Sequence, residues 1–241
     1  MSADSDPLRL LVHGASGRMG HELLALAGDP AVPVAVVAAV ARKVPRRVVD
    51  GVPWFSCKEM NGSPAFDVAV DFSLPQAFDA ILDLARLRGA ALVTGTTGLE
   101  SGQQQALENA ARSIAVFQAS NFSVGVAVLR RLVLQAARQL PDWDCDIIEA
   151  HHVHKRDAPS GTALTLGQVA EAAGAHPRYA SLRAGDIVGE HTAQFTGIGE
   201  RIELVHRASS RAIFARGALQ AAVWLARQPP GLYGMDDLLS P

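Results

Sequence analysis

The chain has 241 residues, and 49% of them are hydrophobic, so we expect one large or two modest globular domains with a real core. Its formal net charge is -2, which gives no indication of nucleic acid or of an anionic membrane as a partner. The two cysteines are far apart, the N-terminus is polar, and no apolar run approaches the ~20 residues that span a bilayer. We therefore expect a cytoplasmic protein with reduced thiols, without a signal peptide and outside any membrane.

The first predicted element is a buried strand over residues 8–12, which runs directly into a turn containing Gly14, Gly17 and Gly20. An apolar pattern of helical period follows. Strand, glycine turn and helix form the context of a dinucleotide-binding fingerprint, because glycine lets the backbone approach a pyrophosphate at a helix N-terminus. The spacing is G-x-x-G-x-x-G rather than the usual G-x-G-x-x-G, and an ordinary turn needs at most one of these glycines. We predict that the turn binds a cofactor.

A second strand, rich in valine, is predicted over residues 33–40. A typical NAD-binding fold places an acid near its end to bind the ribose 2′-hydroxyl. This chain has Ala41 there, followed by four bases: Arg42, Lys43, Arg46 and Arg47. A guanidinium in place of an acid favours the 2′-phosphate of NADPH, because arginine pairs with phosphate through two hydrogen bonds. Alternatively, these bases form a solvated loop face. We expect NADPH as the favoured cofactor, with NADH possible.

Short apolar runs then alternate with helical patterns. Residues 44–64 read as a loop with room for one short helix, and the elements after it are strands at 66–71, 90–94 and 114–117 and helices at 76–88 and around 107–112. This alternation predicts an α/β fold with a doubly wound, Rossmann-like parallel sheet. Residues 95–98 form a second Gly/Thr turn at the carboxyl end of a strand, where such sheets bind ligands. An ordinary strand-to-helix turn explains those four residues equally well.

The pattern changes after Phe122, which predicts a second, α+β domain. We expect a long amphipathic helix at 126–140, a strand at 146–150, a helix from Ser160 to about 173, and strands at 186–195 and 201–206. A last helix at 210–227 could cross back and pack on the first domain, and both termini read as short tails. The predicted domains are therefore 1–122 with 211–241, and 123–210.

Residues 149–164 are the richest stretch in chemistry, with three histidines, a lysine and two acids before a helix that starts at Ser160. Backbone N–H groups of Ser160, Gly161 and Thr162 would face the same side as Lys155. Oriented amides, a positive helix end and an ammonium suit an anion such as a carboxylate, and histidines exchange protons near neutral pH. We predict a catalytic pocket for an anionic small molecule.

Two other interpretations of this stretch remain open. A metal site would need ligands on one side, but His151 and His152 are adjacent and point opposite ways on a strand, and no further His/Cys cluster has ligand spacing. We therefore expect no metal. Alternatively, the residues form a solvated loop with no chemistry, although the neighbouring Lys155 and Ser160 make that less persuasive.

Together these motifs resemble the dihydrodipicolinate reductase family over nearly the whole chain. The resemblance is carried by segments 14–20, 95–98, 121–125, 149–155, 157–162, 183–191 and 209–211. It implies reduction of 4-hydroxy-tetrahydrodipicolinate, a cyclic dicarboxylate, to tetrahydrodipicolinate by NADPH or NADH. That product leads to diaminopimelate and lysine. It also implies a homotetramer assembled through the sheet of the second, substrate-binding domain.

The resemblance also implies residue roles. His151 would be the acid/base histidine, His152 a substrate contact and Lys155 the proton donor. Ser160, Gly161 and Thr162 would hold a substrate carboxylate at the helix start. The implied cofactor residues are Gly14, Ala15, Ser16, Gly17, Arg18, Met19, Gly95, Thr96, Thr97, Ala119, Ser120, Asn121 and Phe122. Arg42 is added to this set by the interpretation of the basic residues after the second predicted strand.

The chain departs from the family pattern at three places. Ala41 stands where many relatives carry the ribose-binding acid, which again favours NADPH. The segment between Ala175 and Ala184 is shorter than in relatives, so contacts made by that segment are in doubt. His13 replaces a small or aliphatic residue before the glycine turn, and the sequence offers no functional account of it.

Two rival functions stay open at this level. A different nicotinamide-dependent reductase of a small amino or keto acid would share the first domain but would not need the cluster around Lys155. A redox-sensing protein could hold NADPH without turnover. The clustered histidines and Lys155 favour an enzyme over the second alternative.

Overall fold

The structure is a computed structural model that describes residues 6–29, 31–45 and 51–240, so the predicted cations Arg46 and Arg47 lie outside it. The strands are β1 (Leu8–His13), β2 (Val34–Ala41), β3 (Trp54–Ser56), β4 (Val68–Asp71), β5 (Ala91–Thr94), β6 (Ala115–Gln118), β7 (Asp144–His151), β8 (Pro177–Arg183), β9 (Gly189–Gly197), β10 (Glu200–Ala208) and β11 (Gly231–Tyr233). The helices are α1 (Arg18–Ala27), α2 (Pro75–Arg88), α3 (Ser101–Ala110), α4 (Val124–Gln139), α5 (Gly161–Ala172), α6 (Ala212–Leu225) and α7 (Met235–Leu238).

The chain divides into two compact units, each with its own sheet. The first unit combines Met1–Phe122 with Phe214–Pro241, and the second is Ser123–Ile213. Most of α6 therefore belongs to the first unit, where a Cβ on Gly217 would collide with the backbone of Phe122. The glycine lets the helix pack directly on that backbone.

The first unit is the predicted doubly wound fold. Its sheet has the order β11-β6-β5-β4-β1-β2-β3, and every neighbouring pair is parallel. Strands in such a sheet are covered by helices on both faces, which is why β1 and β4 read as nearly unbroken apolar runs. One core cluster packs the central strands against α2 and α3 through Leu11, Ala69, Leu92, Phe78, Ile81 and Leu107.

Parallel strands put their carboxyl ends at one edge of the sheet, and this edge positions the candidate cofactor residues. The chain leaves β1, β4, β5 and β6 at this edge, and these four strands are consecutive neighbours in the sheet. The glycine turn, the residues after Asp71, the second Gly/Thr turn and the segment 119–122 therefore lie side by side. Ligands of open α/β sheets bind at this edge.

The second unit is a four-stranded mixed sheet, of order β10-β9-β7-β8, covered on one face by α4 and α5. Burial alternates along β7, so that Ile147 and Glu149 point toward the helices while Ile148 is exposed. Leu129 and Val133 of α4 and Leu166 of α5 close the core on the helix side. The stripe predicted for this helix is Leu129, Leu132, Val133 and Ala136. Three of these contact the core under the sheet, but Leu132 is 43% exposed.

Three strands were missed by the sequence reading. β3 lies inside the predicted loop 44–64, β8 occupies the short segment after Ala175, and β11 lies in the predicted C-terminal tail. β3 and β11 are only three residues long and each pairs with one neighbour, so they carry no periodic pattern. β8 is exposed along most of its length, so its sequence has no buried apolar alternation that would indicate a strand paired with β7. The strand predicted from residue 186 begins at Gly189. No helix in the described ranges is both long and apolar enough to cross a bilayer.

Candidate active site

The glycine turn has the geometry that a dinucleotide needs. Gly14 has a φ of +78°, in the left-handed region, and a Cβ there would collide with the carbonyl oxygen of Phe72. A Cβ on Gly20 would meet the backbone of Ala15 at 2.5 Å, so glycine is also required where α1 packs on the turn. Gly17 is the N-cap of α1 and has no side chain to cap the first turn, which leaves this helix end open to an anion.

The predicted cofactor residues of this turn differ in exposure. Ser16, Gly17 and Arg18 are exposed, and Gly14 and Met19 are partly exposed. Ala15 is fully buried, and its backbone N–H donates to the Val40 carbonyl at 2.9 Å. The exposed residues surround the open end of α1, so the turn fits a pyrophosphate there.

The second and third predicted cofactor segments share a cavity of about 440 Å³. Thr96 and Thr97 line it from the turn after β5, and Ala119 and Ser120 line it from the segment after β6. The wall is completed by Gln104 of α3 and Gln118 of β6, whose side-chain amides bond to each other at 2.9 and 3.1 Å. These two glutamines were not anticipated from the sequence.

Phe122 does not contribute a side chain to that cavity. Its ring is buried among Phe72 and Phe117, with centroids 5.2 and 5.8 Å away. The residue as a whole is only 2% exposed, so it packs in the core of the first unit, and a contact with the cofactor stays a prediction. Asn121, by contrast, is partly exposed.

Basic residues meet at the ends of β2 and β3. Arg42 and Lys43 are exposed directly after β2, and the Cys57 backbone N–H donates to the Ala41 carbonyl at 3.1 Å. That bond places Lys58 beside the end of β2 as well. Lys58 is therefore a third cation at this place, beside the predicted Arg42 and Lys43. The sequence did not indicate it, because the pairing of β3 with β2 was not predicted.

In the second unit, Glu149 is the centre of the candidate catalytic residues. It lies two residues before His151 on β7, so both side chains project from the same face of the strand, and His151 Nδ1 is 2.5 Å from Glu149 Oε2. Arg183 of β8 donates to both carboxylate oxygens, at 2.9 and 2.7 Å. Burial opposes the charged form of this carboxylate, but the hydrogen bonds from Arg183, Ser181 and His151 prevail and lower the pKa of Glu149 to about 2.

Ser160 is the N-cap of α5, as predicted, since its hydroxyl accepts from the Ala163 backbone N–H at 3.2 Å. The expectation that its own backbone N–H is available to a substrate is wrong. That N–H donates to Glu149 Oε1 at 3.3 Å, and the residue is only 2% exposed. Gly161 is exposed and Thr162 is half-buried, so these two remain the residues at the accessible start of the helix.

His191 of β9 extends this buried network. Its Nε2 lies 3.2 Å from Ser160 Oγ, and its ring is 5.2 Å from that of His151. The pKa of His191 is lowered to about 4 by burial, which is the larger cause, and by the neighbouring His151. His191 is therefore neutral at pH 7, and it connects the N-cap of α5 to the strand that carries His151.

Lys155 lies on the loop between β7 and α5, and its ammonium donates to both oxygens of Asp157 at 2.8 Å. Its side chain is 22% exposed, so it is accessible to a ligand. The ion pair with Lys155 is the first cause that lowers the pKa of Asp157. Arg183 also donates to the Asp157 carbonyl at 2.5 Å, which ties this loop to β8.

His152 points away from His151 and has a different partner. Arg211 Nη2 lies 3.3 Å from His152 Nε2. The pKa of His152 is lowered by burial, which is the larger cause, and by the positive charge of Arg211. Since a guanidinium can only donate, His152 accepts at Nε2 and is neutral in this contact.

Sequence reasoning thus pointed to the loop with the candidate catalytic residues but not to the side chains that support it. Glu149, Arg183 and Arg211 fall inside the segments that carried the family resemblance, yet no role followed from their position in the chain. Glu149 could have been suspected, because an acid two residues before a histidine on a strand shares its face. Within the described ranges, no group of three His, Cys, Asp or Glu side chains is arranged to hold a metal ion.

The parallel sheet, its glycine turn and the lysine–histidine cluster are those of an NAD(P)H-dependent oxidoreductase with a separate second domain. Two family models cover the chain: "Dihydrodipicolinate reductase, N-terminus" matches residues 8–122, and "Dihydrodipicolinate reductase, C-terminus" matches residues 125–239. The chain belongs to the dihydrodipicolinate reductase family.

Individual relatives agree with the family models. The chain is 64% identical over 234 residues to the 4-hydroxy-tetrahydrodipicolinate reductase of Stenotrophomonas maltophilia (strain R551-3), covering 97% of this chain and 98% of that one. It is 62% identical to the enzyme of the same name from Xanthomonas euvesicatoria pv. vesicatoria (strain 85-10), covering 96% and 98%. In fold it is similar to a dipicolinate-bound dihydrodipicolinate reductase from Paenisporosarcina sp. TG-14, with a TM-score of 0.81, 22% identity, and coverage of 97% and 100%.

Proposed function

We propose that His151 and Lys155, with the start of α5, carry out the reduction that defines this family. That reaction is the reduction of 4-hydroxy-tetrahydrodipicolinate to tetrahydrodipicolinate with NAD(P)H, in the synthesis of diaminopimelate and lysine, and the enzymes at 62–64% identity bear its name. The assignment of His151 and Lys155 rests mainly on the buried Glu149–Arg183 pair. It connects β7, β8 and the start of α5, and so arranges the loop that presents Lys155.

The substrate is a dicarboxylate, and the second unit offers complementary charge for it. The Lys155 ammonium is accessible, and α5 begins at the exposed Gly161, where the helix dipole is positive. We assign one substrate carboxylate to Gly161 and Thr162 at this helix start, and His152 to a substrate contact. Ser160 supports the same helix end through its cap rather than by touching the ligand.

A bound nicotinamide supplies the hydride, and the chain must supply a proton. The 4-hydroxyl group of the substrate leaves as water. Addition of the hydride to the resulting conjugated system then leaves an electron pair on it, and protonation at carbon or nitrogen completes the reduction. Lys155 is the donor in this proposal, because its ammonium is the accessible acid of the loop. Asp157 holds that ammonium in place by accepting two hydrogen bonds from it.

His151 is assigned to proton exchange beside Lys155. Glu149 accepts from its Nδ1 and thereby fixes the ring, so that only Nε2 is left for exchange. A Cβ on Gly189 would approach Nε2 at 3.1 Å, so glycine there leaves that nitrogen room. The pair resembles other sites in which a buried carboxylate orients an imidazole.

We assign NADPH as the favoured hydride donor. Arg42, Lys43 and Lys58 stand at the adjacent ends of β2 and β3, and Ala41 occupies the position of the ribose-binding acid. Three exposed cations beside an alanine in place of the ribose-binding acid favour a 2′-phosphate over a 2′-hydroxyl. The carboxylate of Glu59, next to Lys58, accepts from the Ser56 hydroxyl at 2.6 Å.

The test of this preference is the ratio of kcat/KM for NADPH to that for NADH. We expect a ratio above one in the wild type and a fall of about tenfold or more in Arg42→Ala, since a charge-assisted bond to phosphate contributes ~1.5–3 kcal/mol. Arg112→Ala removes an equally exposed arginine beyond α3 and should leave the ratio unchanged. A wild-type ratio well below one would refute the preference.

We also propose a cytoplasmic homotetramer assembled through the second unit. The face of its sheet opposite α4 and α5, here called the open face, carries the exposed Ile148, Leu182 and Val205. Ile148 pairs with Thr192 and Thr192 with Val205, which places the two apolar side chains on either side of Thr192 on this face. Exposed apolar side chains grouped on one sheet face can form a subunit contact. The free cysteines Cys57 and Cys145 agree with a reducing compartment.

A further inference from the structure

His13 has a specific and buried environment. It is the last residue of β1, directly before Gly14, and it is only 1% exposed. Its Nδ1 lies 2.8 Å from Oδ1 of Asp71, the last residue of the neighbouring strand β4, which is 0% exposed. A buried histidine and a buried aspartate therefore bridge the carboxyl ends of two central strands.

Asp71 also binds the second turn. Thr94 Oγ1 and Thr96 Oγ1 donate to its Oδ2 at 2.9 and 2.7 Å, and the Ser73 backbone N–H donates to its Oδ1 at 3.2 Å. Burial opposes ionisation, but the hydrogen bond and charge of His13, with bonds from Ser73 and Thr96, prevail and lower the pKa of Asp71. An ionised carboxylate can only accept, so the proton of the His13–Asp71 bond resides on Nδ1.

The other side of the imidazole contacts the end of β3. His13 Nε2 lies 3.7 Å from the Cys57 sulfur, and the Cys57 backbone N–H binds the Ala41 carbonyl at the end of β2. The ring thus contacts residues at the ends of two other strands, Asp71 of β4 and Cys57 after β3. Through these two partners it is connected to the ends of β2 and β5, because Cys57 binds Ala41 and Asp71 binds Thr94.

Removal of the imidazole would leave the Asp71 carboxylate buried with one partner fewer. Such a group is destabilising, since it has lost water without full compensation. The carboxylate would then shift toward solvent or take up a proton. Either response changes Thr96, whose hydroxyl is bound to it.

We propose that His13 is a positioning residue for the nicotinamide dinucleotide. By holding Asp71, it fixes the glycine turn at Gly14 relative to the second turn at Thr96, so that both present their backbone to one cofactor. The inference rests on the proposed cofactor site. It gives this chain a means of ordering the two turns through one buried pair.

The test compares side chains that differ in one hydrogen bond. Asparagine places its amide N–H close to the position of the imidazole Nδ1–H, glutamine places it near Nε2, and leucine has no donor. The variants are therefore His13→Asn, His13→Gln and His13→Leu, with Asp71→Asn as the change on the partner. Leu84→Ala, at the far end of α2 from the turns and 2% exposed, is the control for loss of stability.

The measurement is the Kd of NADPH by titration calorimetry, with thermal melting of each variant. We expect His13→Leu, His13→Gln and Asp71→Asn to raise the Kd about 10- to 100-fold, as misplaced binding groups do. His13→Asn should stay within about threefold of the wild type, and the double variant His13→Leu/Asp71→Asn should be no weaker than its weaker parent. In turnover, the KM for NADPH should rise while kcat changes little.

Several results would overturn the proposal. An unchanged Kd in His13→Leu excludes a positioning role, and an equal loss in His13→Asn excludes the hydrogen bond as its cause. An equal loss in Leu84→Ala assigns the effect to stability alone. If His13→Leu does not fold, equal Kd values for His13→Asn and His13→Gln decide against the proposal. A wild type that fails to bind NADPH would instead refute the proposed function on which the inference rests.

Discussion

At the scale of single residues, the two proposed proton-transfer groups are held in different ways. His151 is 9% exposed and is fixed by a buried carboxylate, whereas Lys155 is accessible and pairs with the exposed Asp157. An exposed pair separates easily when a better anion arrives, because its attraction is screened by water. Lys155 can therefore exchange Asp157 for a substrate, while His151 keeps one orientation throughout.

Lys155→Met should lose about 10²–10⁴ in kcat, the usual contribution of a general acid. The fold should persist, since Lys155 lies on a loop and its partner is exposed. Arg156→Met, the next residue and also exposed, is the matched control and should retain activity. Steady-state turnover with thermal melting checks this, and turnover near the wild-type value in Lys155→Met would remove the lysine from the chemistry.

Single residues were predictable from the sequence where chemistry is local. Lys155, Ser160 and the glycines stand in short motifs whose spacing already implies a turn, a cap or an anion. His13, Arg183 and His191 act through partners on other strands, up to 58 positions away in the case of Asp71. Only the order of the strands shows those pairs, so no local pattern could have identified them.

At the scale of elements, the segment from β7 to α5 is organised by Glu149. Its carboxylate accepts from His151 on its own strand, from Arg183 on β8 and from the backbone N–H of Ser160 at the start of α5. Three elements therefore share one buried charge. Substitution of one partner leaves the others buried without their hydrogen bonds. The free-energy cost of that loss exceeds the stabilisation that the pair itself provides.

Glu149→Gln should change how stability depends on pH. The pKa of Glu149 falls from 4.5 to about 2 on folding, so its stabilisation is complete above about pH 4.5 and is lost as the pH falls toward 2. For one group this amounts to on the order of 3 kcal/mol. The free energy of unfolding of the wild type should fall by this amount across that pH window. Glu149→Gln should lack this part of the pH dependence. It should also be less stable at pH 7, since Arg183 has lost its carboxylate partner.

Urea unfolding at several pH values measures this slope. Glu171→Gln removes an exposed acid of α5 and controls for the loss of one negative charge. Parallel pH dependences in the wild type and Glu149→Gln would show that the carboxylate does not have the assigned environment.

At the scale of the whole molecule, the open face predicts assembly. A monomer that leaves Ile148, Leu182 and Val205 exposed on one sheet face carries a patch that a partner can cover. Sedimentation equilibrium should give the mass of four 25.4 kDa chains. Val205→Glu should weaken that assembly, because it buries a charge at the contact, while Arg201→Glu at the sheet's far end is the milder control. A monomer at all concentrations would contradict the proposal.

The central claim is turnover of a specific compound, and one assay tests it most directly. The purified chain is mixed with NADPH and with 4-hydroxy-tetrahydrodipicolinate supplied continuously by its synthase, and NADPH absorbance is followed. We predict consumption of one NADPH for each substrate reduced, and a rate about 10²–10⁴ lower in Lys155→Met. A folded chain that binds NADPH but does not consume it with this substrate would contradict the account and would favour a binding protein without turnover.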